Sequence, residues 1–326
     1  MYAVTGFDTA SDQLNITTPL PSRSMKKYLC NFLIIFFAVT AAFPSPALSA
    51  ELRQELRQEL RNTPDSDQAA KETHDDREEG WWDGLPKEKK ALYANISAAA
   101  FITLYGFADW DYGSDGFHFT NEGWFEKDSK YGGADKMGHF WSTYAVADAF
   151  TGLYKHWGYD RKKAGRYGVF SSWAVQTIME LDDGTSETQG FDWGDMTMNT
   201  LGALTGVLME QYPELDRKID FRVEYALNVP VQGIFDDYSN MYYALVVKLG
   251  GFDQLEHSWL QWAELHAGYC TQGYDTGEPE KERRVYLGIS FNFSRLLHQH
   301  NYHKTGKVLE YLQVPYTVPK IFGNPG

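Results

Sequence analysis

Residues 192–212 read DWGDMTMNTLGALTGVLMEQY. The stretch predicts a helix that Asp192 can cap and that stops before Pro213. Asp195 and Asn199 are four residues apart and so share a face, and Gly202 and Gly206 continue that line as a smooth strip against which another helix can lie.

Working outward, KMGHFWSTYAVADAFTGLYKHWG at about 136–157 and RKKAGRYGVFSSWAVQTIMEL at about 161–181 have the same character, apolar with little charge. Gly138, Gly152, Gly202, Ala203 and Gly206 recur in these helices. Glycine lowers helix propensity by ~1 kcal/mol per site, so its repeated use predicts close backbone packing. Further upstream, Ala91–Ala108 carries no charge, which reaches the lower limit for a membrane-crossing helix but suits a buried helix equally.

Beyond Asp220 the pattern changes. FRVEYALNV, SNMYYALVVKLGG and RRVYLGISFNFSRLL read as strands, the last alternating Val285, Leu287, Ile289, Phe291 and Phe293 on one face. WLQWAELHAGY, around 259–269, reads as a short helix, and the proline-broken end YLQVPYTVPKIFGNPG as an extended surface segment. These strands are too few for an eight-stranded outer-membrane barrel. The expected fold is mainly α: a compact bundle of about four apolar, glycine-containing helices and then a strand-containing C-terminal region, α+β overall. The expected divisions are 1–50, an upstream extension and signal peptide; 51–87, an acidic polar spacer; 88–215, a helical core; and 216–326, the strand-containing region.

MKKYLCNFLIIFFAVTAAFPSPALSA, residues 25–50, has the basic start, apolar run and small-residue end of a secretory signal, with Met25 as its start and cleavage after Ala47 or Ala50. Cys30 follows Tyr28 and Leu29 rather than the small residues that precede an acylated cysteine. Removal of the signal leaves Cys270 alone, so no internal disulfide forms, and any metal must be held by Asp, Glu and His. ELRQELRQELR and the acidic run after it, through residue 85, lack an apolar stripe and read as a solvated spacer.

Net charge is −14 and aromatic residues make up 16% of the chain. The acidic balance excludes a nucleic-acid partner, and the aromatic content suits a membrane interface. Membrane lipid or an envelope protein is the expected partner, with no nucleotide and no cofactor.

One set of polar residues stands out from its apolar surroundings. Asp135 and His139 share a helical face, and Asp135 sits where an N-cap belongs after Gly132-Gly133-Ala134. Glu180 ends a run from Tyr167 to Met179 that has no charge, so burial is expected to raise its pKa unless a cation pairs with it. His139, Glu180 and Asp195 are the candidate catalytic residues, and the candidate ligands should a divalent metal be bound; Asp135, Asn199 and Asp192 are candidates for ligand contact or for a hydrogen-bond network.

The order Asp135-Lys136-x-x-His139-Phe140, Glu180, Asp195-x-x-x-Asn199-x-x-Gly202-x-x-x-Gly206 resembles the predicted periplasmic lipoproteins of unknown function (YfiM-like, domain of unknown function 2279). More distantly it is similar to the VanZ-like membrane proteins. The resemblance covers roughly residues 130–210, implies export to the periplasm or cell envelope with association to a membrane, the outer membrane among them, and brings no reaction with it. The chain departs from the lipoprotein pattern at Cys30 and in its added C-terminal region.

Two functions follow. One is a non-catalytic envelope protein, structural or binding lipid or a partner, with the polar residues fastening its helices. The alternative is a membrane-proximal hydrolase of lipid or cell-wall material, in which His139 and a carboxylate act as base or hold a metal, Glu180 is the acid and Asn199 orients water. Neither a His-Glu-x-x-His nor a Gly-x-Ser-x-Gly motif is present to support the second.

Overall fold

The computed structural model describes residues 81–325 apart from 230, 232–234 and 276–279. The upstream extension, the signal and the spacer through residue 80 lie outside the described residues. Those described belong to one compact unit, Asp76–Gly326.

The order of elements is α1 (Lys87–Asp109), β1 (Phe119–Thr120), α2 (Ala134–His156), α3 (Arg161–Asp183), β2 (Phe191–Asp192), α4 (Trp193–Gln211), a single turn α5 (Pro213–Asp216), β3 (Ile219–Tyr225), β4 (Met241–Lys248), β5 (Ala263–Gln272), β6 (Glu282–Phe291), α6 (Phe293–Gln299), α7 (His303–Val308), β7 (Leu312–Gln313) and β8 (Lys320–Gly323). Four long helices followed by a sheet make the α+β arrangement expected from sequence.

Local chemistry sets the helix starts. Asp160 accepts a hydrogen bond from the Lys163 amide at 3.0 Å and caps α3, while Asp192 accepts from the Gly194 and Asp195 amides and caps α4. At α2 the expected cap is displaced. Gly133, at φ 87°, holds the cap position, so Asp135 lies inside the first turn and its carboxylate is turned inward.

Helix α2 is central, packed on both α3 and α4, and it buries Tyr144, Phe150 and Tyr154, each contributing about 1.5–3 kcal/mol. Glycines allow the approach. A Cβ at Gly202 of α4 would lie 2.3 Å from the Phe140 carbonyl oxygen, and one at Gly168 of α3 would lie 2.2 Å from Thr151 Oγ1. Gly152 has no such neighbour, so close packing does not explain it.

Strands β3 to β8 form a six-stranded sheet in the order β7-β3-β4-β5-β6-β8, antiparallel except where β7 lies parallel to β3, while β1 and β2 pair in parallel as a separate two-stranded ribbon. One face carries Phe221, Tyr243 and Leu245; Phe221 packs edge-on against Phe140 and Tyr144 of α2 at 5.0 and 5.7 Å between ring centres. The other face carries Asp220, Arg222, Glu224, Glu264, His266 and Ser290, all buried.

Two sequence expectations change here. Only Trp259–Trp262 forms a helical turn, and residues 263–269, expected to complete that short helix, belong to the central strand β5, paired on both sides. The helix formers Ala, Glu and Leu in AELHAG are overruled by period-two burial, with Glu264 and His266 inward and Leu265 outward. The C-terminal segment is extended as expected, but it does more than cover the surface. Leu312–Gln313 and Lys320–Gly323 pair with opposite edges of the sheet, and the crossing between them buries Val318.

Candidate functional site: a buried ring of carboxylates around Lys136

The start of α2, the end of α3, the start of α4 and the loop before α2 converge. Lys136, wholly buried, places Nζ 2.9 Å from both Asp135 Oδ2 and Asp195 Oδ1, 3.6 Å from Asp192 Oδ1 and 3.7 Å from Glu122 Oε2. Glu122 is held from outside by Lys130 at 2.7 Å, and its backbone amide donates to Asp192 Oδ2 at 2.7 Å. Burial alone would push the Lys136 ammonium pKa down, but Asp195 and Asp135 outweigh it and hold the pKa above the ordinary lysine value.

His139, one turn along α2, is sandwiched between acids. Its Nδ1 lies 3.2 Å from Glu180 Oε1 and 3.2 Å from Asn199 Oδ1, and its Nε2 lies 3.5 Å from Asp195 Oδ1. Asn199 Oδ1 also accepts from Thr143 Oγ1 at 2.9 Å, and Asn199 Nδ2 donates to Glu180 Oε1 at 3.5 Å. Asp195 Oδ1 is thus shared between Lys136 Nζ at 2.9 Å and His139 Nε2 at 3.5 Å.

Burial pushes the imidazole pKa down, but Asp195, Glu180 and Asp135 overcome it and raise it to about 9. Burial also raises the carboxyls of Glu180 and Asp195, against the lowering by His139. Asp183 is raised to about 7 by burial despite the hydrogen bond from Tyr112. The sequence expectation for Glu180 therefore holds in direction even though a cation is its neighbour.

The His139 shift has a measurable consequence. Its folded-state pKa of about 9 exceeds the ordinary 6.5, so its stabilisation is complete below pH 6.5 and disappears as pH rises toward 9. Denaturation midpoints at pH 6.5 and 9 are expected to be lower at the higher pH for the wild type. The gap should shrink in His139→Gln, and an unchanged gap would remove His139 as its source.

All six residues singled out in the sequence, Asp135, His139, Glu180, Asp192, Asp195 and Asn199, thus lie in one network. Lys136, Glu122, Lys130 and Asp183 belong to it as well and were given no role. A lysine at the head of an apolar helix was the available signal for Lys136, whereas Glu122 and Lys130 come from a loop whose path no periodicity describes.

Among the described residues, two groups lie close enough to hold a cation, His139 with Glu180 and Asp195, and Glu122 with Asp135 and Asp195, the potential ligand atoms in each lying within 4.8 Å of one another. The second already surrounds the Lys136 ammonium. In the first, Glu180 addresses Nδ1 and Asp195 addresses Nε2, opposite edges of the ring. A metal held there would take one nitrogen of a neutral imidazole and carboxylate oxygens of Glu180 and Asp195.

The sheet has its own buried charges. Arg222 donates from Nη1 and Nη2 to the two oxygens of Glu264 at 2.9 and 2.8 Å and from Nε to Asp220 at 3.0 Å. His266 Nε2 lies 2.8 Å from Ser290 Oγ, which donates to Glu264 Oε2 at 2.9 Å. Nucleophilic catalysis needs the imidazole between serine and acid, and here the serine is in the middle. Burial, Arg222 and Lys320 hold the His266 pKa down to about 3, which makes it a poor base. The alternation Asp220, Arg222, Glu224 was the available sequence signal for this charged face.

Residues 121–211 match the family described as predicted periplasmic lipoprotein (DUF2279). This is the family whose motif the sequence resembles, and its description carries the envelope localisation expected from the signal. The matched segment spans every residue of the Lys136 and His139 network and ends before the sheet. No curated protein and no solved structure matches the chain.

Proposed function

We propose that the protein is a non-catalytic, membrane-associated envelope protein in which the polar network clamps the helices together while the apolar exterior meets lipid or a partner. The observation that carries this reading is the position of Lys136. It occupies the middle of Glu122, Asp135, Asp192 and Asp195 with no solvent exposure, leaving no room there for a catalytic cation or a substrate. A buried cation with several acidic partners is an internal fastening, because each unpaired member would carry a large desolvation penalty.

Hydrolysis of lipid or cell-wall material is the second reading, supported by His139, whose side chain is 14% exposed and touches both Glu180 and Asp195. There His139 would be base or metal ligand, Glu180 the acid and Asn199 the residue that orients water. Elemental analysis of the purified full chain separates the two. The clamp reading expects no stoichiometric divalent metal and loss of stability in Glu180→Ala. Stoichiometric zinc or manganese, lost in His139→Ala and Glu180→Ala, would replace it with the hydrolase.

A further inference from the structure

A cavity of about 730 Å³ opens between the helices and the sheet, lined by Met137 and Phe140 of α2, Met198 and Leu201 of α4, and Leu245 and Leu287 of the sheet among others, with no charged side chain in its wall. The apolar sheet face that α2 covers over β3 and β4 continues bare beyond it. Leu265, Leu287, Ile289 and Ile321 on β5, β6 and β8 are exposed, Ile321 at 80%, while Glu264 and His266 of β5 are buried on the opposite face. That polarity is inverted relative to a sheet facing water.

The surface does not stop at the sheet. Leu201 lies in the cavity wall, and Leu204 and Leu208 extend its stripe along the outside of α4. Trp173 of α3 donates to Thr200 of α4 at 3.1 Å, and α3 exposes Tyr167 and Phe170. Helix α1 packs on α3 and turns Leu92, Ile96, Leu104 and Phe107 outward. It is also long and apolar enough to cross a membrane, with 6% of its apolar window buried. The cavity is thus one end of an apolar belt that runs over three helices to a candidate membrane segment.

We propose that the cavity and the bare face of β5, β6 and β8 bind the hydrocarbon chains of membrane phospholipid. The lining is aliphatic and aromatic, its tyrosine hydroxyls already donating to Met241, Gly132 and Tyr243, and the size falls within the range of small-ligand sites, about 300–1,000 Å³. A protein partner covers about 800 Å² of one surface, whereas this belt wraps from sheet to helices, a shape that a lipid phase follows. A net charge of −14 also sets two copies of the chain against each other. The inference rests on the membrane-associated reading and adds which surface meets lipid.

Nitroxide labels on the full chain test it, in a Cys30→Ser background; Cys270 is buried and its thiol pKa is pushed up to about 12, so labelling is confined to the introduced thiols. Leu287→Cys and Ile321→Cys report the sheet face, Leu104→Cys reports α1, and the exposed Lys162→Cys reports water. In vesicles of phosphatidylethanolamine and phosphatidylglycerol, the ratio of collisions with oxygen to collisions with a water-soluble nickel chelate is expected to be several-fold higher at 287 and 321 than at 162. An aqueous ratio at 287 and 321 with a lipid ratio at 104 would overturn the lipid site and leave membrane association standing. An aqueous ratio at every position would remove both. Protection of 287 and 321 from both reagents would mean that protein covers the face, and would overturn the proposal too.

Discussion

Lys136→Met is expected to destabilise the protein by about 3–5 kcal/mol, the range measured when one partner of a buried ion pair is removed. The methionine fills the same space, so the loss is electrostatic: Asp135, Asp192, Asp195 and Glu122 would face one another without their shared cation. Burial already raises the carboxyls of Asp195 and Glu122, and losing the Lys136 charge should raise them further, so the variant binds protons when folded that it releases when unfolded. Its deficit should therefore be smaller at pH 5 than at pH 7.5, since stability falls with rising pH wherever the folded state holds more protons. Adding Asp195→Asn should recover part of the loss. Denaturant titration at the two pH values reads both effects, with Lys163→Met, an exposed pair with Asp160, as the control expected to change stability by less than about 1 kcal/mol. A loss equal at pH 5 and 7.5 would show that packing rather than charge is the cause.

Arg222→Met is expected to have an effect of the same size, about 3–5 kcal/mol, on the sheet. The guanidinium is buried beneath the strands and satisfies both oxygens of Glu264 and one of Asp220, with Gln313 as a further acceptor at 3.1 Å. Gln313 belongs to β7, so the residue also ties the C-terminal edge strand to β3 and β5. Asp220 retains Lys248 in the variant, whereas Glu264 keeps only Ser290. Arg222→Lys should recover only part of the stability, because an ammonium cannot serve two carboxylates with a planar fork. Proteolysis between β6 and β8 should accelerate in Arg222→Met and to a lesser degree in Arg222→Lys. Equal stability of the lysine and arginine forms would show that charge alone matters there.

The network around His139 was legible because helical spacing is local: Asp135 with His139 and Asp195 with Asn199 follow from 3.6 residues per turn. What spacing cannot convey is which helix faces meet across 40 to 60 residues of chain. The meeting of Glu180 with His139 is a packing result, made by Gly202 and Gly168 bringing α4 and α3 onto α2. Lys136 lay unread beside Asp135 because the exposure of a lysine on a helix depends on what packs over it. Strand β5 was missed for the related reason that its residues favour a helix until β4 and β6 flank them.

By itself, then, the sequence determined the four helices, their glycine contacts at positions 202 and 206, the α+β order and the family motif, because each depends on neighbours within a turn or two or on a fixed spacing. Only the tertiary structure decided that Lys136 is the hub of the acidic ring, that the sheet hides its charges and bares its leucines, and that an apolar cavity joins sheet to helices. Those features belong to surfaces built from distant segments, and burial, which sets the pKa of Glu180 and the exposure of Ile321 alike, exists only once the segments have packed.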